Sequence, residues 1–247
     1  MYPEFFAKYY DRIYHGLRDD VDHRFYMEKI LDCKGPVLEV GTGTGRFFNE
    51  ALAKGADIYG IDVSPAMIEI LREKLPEAEH SRVGLQSITD FRFNQKFKLI
   101  IAPFRVFMHL LTIEDQMQAL RNVHEHLETG GTFLFDAFVP NLEILQHGIS
   151  KMKDFEEEVE PGLILRRIVT SKSDLIAQVS HITFCFEFDN GKEITRKVWE
   201  SDLRLFFRYE LEHLMHQSPF SQTVIFGDMN GHGLNSNSRE FVVEARK

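Results

Sequence analysis

The sequence predicts a doubly wound α/β fold with a mostly parallel, seven-stranded sheet and an inserted antiparallel β-sheet. Three observations carry this expectation. Short apolar runs alternate with helical patterns from Pro36 to Phe138, a glycine-rich turn joins the first run to its helix, and beyond Pro140 apolar and polar residues alternate without intervening helices. Strands that alternate with helices form a parallel sheet covered on both faces. Period-two alternation broken by turn residues forms antiparallel hairpins.

The elements follow in chain order. Residues 3–33 read as helix, because Phe6, Tyr9 or Tyr10, Ile13, Val21 and Phe25 recur at helical spacing, with a break near Gly16. Pro36 to Val40 is the first strand, and the helix from Arg46 to Lys54 is closed by Gly55. Ile58 to Ile61 is the second strand, after which Ser64 caps and Pro65 opens a helix bearing Met67, Ile70, Leu71 and Leu75 on one face. Val83 to Ser87 and Lys98 to Ala102 are the third and fourth strands. A helix from Ile113 to Glu128 is capped by Thr112 and ended by Gly130-Gly131, and Thr132 to Phe138 is the fifth strand. Leu163 to Thr170, Ile176 to Phe188 and Glu193 to Phe206 are the strands of the insertion, with Asp189-Asn190-Gly191 as a turn. A helix from Tyr209 to His216 and strands at Thr223 to Phe226 and Glu240 to Ala245 close the chain. The expected division is therefore 1–150 with 208–247 as the α/β domain and 151–207 as the insertion.

A net charge of -9 argues against a surface built mainly to neutralise phosphates, so nucleic acid is not an expected partner. Cys33 and Cys185 have neither CxxC spacing nor a histidine at ligand spacing, which fits two ordinary thiols in a reducing compartment and no metal site. The first residues carry charge and tyrosine where a leader would be apolar, and no run is long enough to span a membrane. A cytoplasmic protein is expected.

The chemistry is concentrated in Val37-Leu38-Glu39-Val40-Gly41-Thr42-Gly43-Thr44-Gly45-Arg46, with Asp62 at the end of the next strand. Glycines spaced GxGxG let a ligand approach the backbone, and an acidic residue ending the second strand suits two ribose hydroxyls. A dinucleotide site would place its third glycine where Arg46 stands, so a nicotinamide cofactor is disfavoured.

VLEVGTGTGRF followed by IYGIDVSPAMIEILREKL resembles the first and second motifs of class I S-adenosylmethionine-dependent methyltransferases, and the likeness extends from FAKYYDRIY through TDFRF and LETGGTFLFD to REFVVEARK. The resemblance implies a Rossmann-like methyltransferase fold and S-adenosyl-L-methionine as cofactor. It implies that Glu39, Gly41, Thr42 and Gly43 border the methionine part, that Asp62 holds the ribose, and that Val63 and Met67 flank the adenine. Ser87 and Ile88 stand where the family has an acidic residue and an apolar one at the adenine amine, and Lys98 departs from the usual FDLI. Ala102 and Phe104 end the fourth strand beside the transferable methyl, without the NPPY or DPPY of nucleic-acid and protein-glutamine methylating relatives.

Beyond that strand, Arg105 and His109 face the acceptor in this reading, His109 either as general base or as a structural residue opening the next helix. His124, on the apolar side of that helix, reads as a core histidine. Tyr10 and Tyr14 either close over the cofactor and acceptor or form a buried aromatic face. Arg166, Arg167, Arg204 and Arg208 either hold an anionic acceptor or face water. The insertion resembles that of small-molecule N-methyltransferases, which makes a small amine the first-choice acceptor. Its apolar face, with Leu163, Leu165, Ile168, Phe184, Phe186 and Phe188, would cover the acceptor pocket as a lid or meet a second subunit in a homodimer. The rival readings are a non-catalytic S-adenosylmethionine sensor and a nicotinamide oxidoreductase.

Overall fold

The computed structural model describes residues 2–15 and 20–247. The break expected near Gly16 lies outside the described residues. The described N-terminal helical segments are α1 (Glu4–Ala7), α2 (Tyr10–His15) and α3 (Val21–Asp32). The chain then alternates through β1 (Val37–Val40), α4 (Phe48–Ala53), β2 (Ile58–Asp62), α5 (Pro65–Glu73), β3 (Val83–Leu85), β4 (Phe97–Ala102), α6 (Ile113–His126) and β5 (Leu127–Phe138). After α7 (Leu142–His147) come β6 (Ile149–Glu160), β7 (Leu163–Asp174), β8 (Val179–Asp189) and β9 (Ile194–Arg204). The chain closes with α8 (Arg208–Gln217), β10 (Gln222–Phe226) and β11 (Glu240–Arg246).

Seven strands form one sheet in the order β10-β11-β5-β4-β1-β2-β3, all running in one direction except β11, which is antiparallel to both β10 and β5. Every residue of β1 is buried, as expected of a central parallel strand covered on both faces. Tyr26, Met27 and Ile30 of α3, Phe48 and Ala51 of α4 and Leu71 of α5 pack against Val37, Ile58, Leu99 and Leu134. On β1 the winding reverses, with β2 on one side and β4 on the other. In open α/β sheets that switch point opens the ligand crevice beyond the carboxyl ends of the strands.

Two helix boundaries differ from expectation for visible reasons. The helix after the glycine turn starts at Phe48 rather than Arg46, because residues 43–47 continue as turns. Gly130 and Gly131 do not end α6. They lie inside β5, where Gly130 takes φ +71° and the β4–β5 register shifts, and Gly131 accepts from the amide of Lys247. Ser64 and Thr112 cap α5 and α6 through the amides of Met67 and Asp115. His124 is half-buried at the edge of Phe220, with its ring pKa lowered by burial.

Among the described residues the chain divides into two compact units, one of residues 20–139 and 206–247, the other of residues 2–15 and 140–205. The second unit is a four-stranded antiparallel meander, β6-β7-β8-β9, in which β6 was not expected from sequence. Its buried face carries Leu165, Val169 and Phe186, with Phe184 and Phe188 partly buried beside them, and Phe6, Tyr9 and Ile13 of the N-terminal segment lie on it. Ile168 is not on that face. It pairs with Cys185, one residue out of phase with Phe184 and Phe186. No helix among the described residues is long and apolar enough to cross a membrane.

Candidate active site

The glycine turn after β1 is fixed from the β2 side. The amides of Gly41 and Thr42 both donate to the carbonyl of Ile61, at 2.8 and 3.0 Å, and the amide of Gly43 donates to Asp62 Oδ2 at 2.9 Å. Asp62 Oδ1 accepts from the amide of Ser64 at 2.8 Å, so one carboxylate joins the turn to the start of α5. Gly41 and Gly43 take φ +69° and +56°. A side chain at Gly41 would collide with Val106, whereas one at Gly43 would meet nothing nearer than the Gly41 carbonyl at 4.0 Å. Gly43 therefore borders an open cradle.

Glu39 is buried at the end of β1 and accepts a hydrogen bond from Thr42 Oγ1 at 3.0 Å. Burial pushes its carboxyl up to about 8, the Thr42 hydroxyl works against that rise, and the charge of Asp62 adds to it. Burial also raises the Asp62 carboxyl, with the Ser64 and Gly43 amides opposing. Two cations lie near the turn and both are engaged. Arg46 makes a bidentate pair with Asp22 at 2.7 and 2.9 Å, and Lys74 Nζ donates to the Thr44 carbonyl at 2.8 Å. The turn presents buried carboxyl acceptors and an open glycine cradle. That set of acceptors fits a ligand bearing hydroxyl and amine donors, as S-adenosylmethionine does, better than a pyrophosphate.

The other residues singled out from sequence distribute as follows. Met67 is buried, Val63 is half-exposed at the carboxyl end of β2, and Ile88 is buried while its carbonyl accepts from Asn122. Ser87 Oγ is 2.9 Å from Thr89 Oγ1. Ala102 is fully buried at the end of β4, Phe104 and Arg105 are partly exposed after it, and His109 is exposed at the end of a short 3-10 turn. Tyr10, Tyr14 and Arg166 belong to the second unit. Tyr10 and Tyr14 are half-buried with ring centroids 4.6 Å apart, and the guanidinium of Arg167 lies 4.9 Å from the Tyr14 ring. Arg166 is shared by Glu156 at 2.7 Å and Asp189 at 3.0 Å, so an anionic acceptor would compete with two carboxylates. Arg167 is buried and held by Asp154. Phe186 is fully buried in the unit's own aromatic cluster, which makes it core.

Sequence reasoning missed a cluster at the same end of the sheet. Phe104 and Arg105 are consecutive non-glycine residues with φ +55° and +65°, a conformation costing on the order of 1–2 kcal/mol per residue. Their amides donate to the two oxygens of Asp136, at 2.8 and 3.1 Å, and Tyr26 Oη donates to the same carboxylate at 2.6 Å. Burial raises the Asp136 carboxyl and holds the Tyr26 phenol well above its ordinary value. The Arg105 guanidinium pairs with Glu240, whose carboxyl burial pushes up to about 7. The available signal was an aspartate standing in the apolar run Phe133-Leu134-Phe135-Asp136-Ala137-Phe138.

Residues 37–131 match the family described as "Methyltransferase domain". An amino-sugar enzyme of Streptomyces venezuelae, dTDP-3-amino-3,4,6-trideoxy-alpha-D-glucopyranose N,N-dimethyltransferase, is 26% identical over 59% of this chain and 54% of its own length. An uncharacterised methyltransferase of Bacillus cytotoxicus is 33% identical over 54% of this chain and 55% of its own. The chain thus spans about half the length of these curated relatives. Among solved structures, the sugar N-methyltransferase KedS8 of Streptoalloteichus superposes with a TM-score of 0.74 at 18% identity, covering 96% of this chain and 93% of that one. The CcbJ methyltransferase of Streptomyces caelestis gives 0.71 at 23% identity, over 92% and 94%. The family match thus covers residues 37–131, the segment that holds the glycine turn, and the chain has the Rossmann-like methyltransferase fold of these solved structures.

Proposed function

We propose that this protein transfers a methyl group from S-adenosyl-L-methionine to the nitrogen of a small-molecule amine. The observation that carries the reading is the turn at Gly41–Gly43, tied by its amide to the buried Asp62 and open at Gly43, inside the segment that matches the methyltransferase family. The sulfonium supplies an already electrophilic methyl group. The acceptor nitrogen's lone pair forms the new N–C bond as the S–C bond breaks, sulfur keeps that bonding pair to give S-adenosylhomocysteine, and the nitrogen loses a proton. The protein's part is then to position the acceptor and exclude water. Glu39, Gly41, Thr42, Gly43, Asp62, Val63, Met67, Ser87, Ile88, Ala102, Phe104 and Tyr10 form the proposed cofactor set, Arg105 and Arg166 the acceptor set, with His109 as base and Tyr14 as the second proposed catalytic residue.

The choice of an amine is supported by the amino-sugar enzyme of Streptomyces venezuelae and by the sugar N-methyltransferase KedS8 among the similar proteins. A cytoplasmic setting is supported by two free cysteines, and the absence of a nucleic-acid partner by the net charge of -9. A homodimer remains part of the same proposal. The test is S-adenosylhomocysteine production over a panel of amines, amino sugars, carboxylic acids and phenols. Turnover with amines supports the reading. Cofactor binding without turnover on any acceptor would favour a sensor instead.

A further inference from the structure

The backbone after β4 is held in a shape it would not adopt unaided. Phe104 and Arg105 both lie in the left-handed region, and neither is glycine. Their two consecutive amides converge on one fully buried carboxylate, Asp136 of β5, with Oδ1 taking Phe104 and Oδ2 taking Arg105. Three further groups face that carboxylate. Tyr26 donates to it from α3, the Arg105 guanidinium stands 3.9 Å away, and Glu240 of β11 holds the same guanidinium. The residue that follows, Val106, is the one a side chain at Gly41 would strike, so the turn after β4 rests directly against the glycine turn after β1.

We infer that Asp136 is a positioning residue for methyl transfer, fixing the Phe104–Arg105 turn at the acceptor side of the sheet and, through Val106, seating the Gly41–Gly43 turn. The chain of contact runs from carboxylate to amides to Val106 to Gly41. Replacing one carboxylate oxygen with an amide NH2, as Asp136→Asn does, sets a donor against one of the two backbone amides and lets the backbone relax to negative φ, which moves Val106 away from Gly41. Acceptor placement and cofactor affinity are then coupled through one side chain that need not touch either ligand. This role rests on the methyl-transfer reading above.

The experiment compares the full-length chain with its Asp136→Asn variant by amide hydrogen exchange, by S-adenosylhomocysteine titration and by steady-state kinetics with an accepted amine. In the wild type, the Phe104 and Arg105 amides should exchange at least a hundredfold more slowly than unstructured backbone. In Asp136→Asn that protection should fall at least tenfold while Leu38 and Ile61 stay protected. S-adenosylhomocysteine affinity should weaken fivefold or more, and kcat should drop tenfold or more with a smaller change in the acceptor KM. Solvent-rate exchange of both amides in the wild type overturns the clamp even if the variant fails to fold. A folded variant with wild-type kcat and affinity overturns the role and leaves methyl transfer standing. A wild type that binds no S-adenosylhomocysteine overturns the methyl-transfer reading, and this role with it.

Discussion

The carboxylate of Asp62 binds the amide of Gly43 through one oxygen and the amide of Ser64 through the other, at 2.9 and 2.8 Å. It thereby holds the β1 turn against the start of α5. The carboxylate, an acceptor at both oxygens, suits the hydroxyls of a ribose. Asp62→Asn retains the shape but turns one acceptor into a donor facing an amide. Hydrogen bonds to charged groups are worth about 1.5–3 kcal/mol, so calorimetry should show S-adenosylhomocysteine binding weakened roughly tenfold to a hundredfold. Unchanged affinity would remove Asp62 from the ligand set.

Glu39 makes stability depend on pH. Its carboxyl, ordinarily near 4.5, stands at about 8 because it is buried. A raised value in the folded state favours the neutral form, so the stabilisation is complete below about pH 4.5 and is lost as pH rises toward 8. Glu240, raised to about 7, acts in the same direction. For cofactor-free protein, thermal melts should show Glu39→Gln matching wild type near pH 4.5 and melting a few degrees higher at pH 8. An equal offset at both pH values would contradict the burial argument.

His109 is exposed at the end of the turn that follows Arg105. If its imidazole takes the proton from the acceptor, His109→Ala should lower turnover about a hundredfold, most strongly near neutral pH, with cofactor affinity unchanged. Wild-type rates across the pH range would return His109 to a structural role.

Arg167 is buried in the aromatic face of the second sheet, with Nε and Nη2 on Asp154 at 2.9 and 2.7 Å. Removing one partner of a buried ion pair strands the other, at about 3–5 kcal/mol, whereas replacing both charges with apolar groups is often neutral. Asp154→Ala should therefore be strongly destabilised, and adding Arg167→Met should recover much of the loss. Protease resistance of residues 140–205 provides the readout. Additive losses in the double variant would contradict the pairing.

What was legible in the chain were local, strongly patterned features. GTGTG between an apolar strand and a helix, the acid ending β2 and the Ser64-Pro65 cap each follow from backbone chemistry within a few residues. The strand β6 was not legible, because Asp154, Glu156, Glu157, Glu158 and Glu160 hide any apolar alternation. Its charges are answered across the strand by Arg166 and Arg167 of β7. The cluster of Tyr26, Arg105, Asp136 and Glu240 was hidden for a related reason. Its members are far apart in sequence and meet only when α3, β4, β5 and β11 are assembled. Phe6, Tyr9 and Ile13 of the same chain pack on the apolar face of the insertion. Long-range burial by one's own terminus has no local periodicity to announce it.

The cofactor that enters the turn at Gly41–Gly43 distinguishes methyl transfer from nicotinamide chemistry most directly. Parallel calorimetric titrations of the wild-type protein with S-adenosylmethionine, S-adenosylhomocysteine and NAD decide it, with Gly43→Val as the companion variant that fills the open cradle in a strained backbone. Saturable binding of the first two, none of NAD, and at least a tenfold loss in Gly43→Val is the predicted result. Binding of NAD, or S-adenosylhomocysteine affinity indifferent to Gly43→Val, would contradict the central claim.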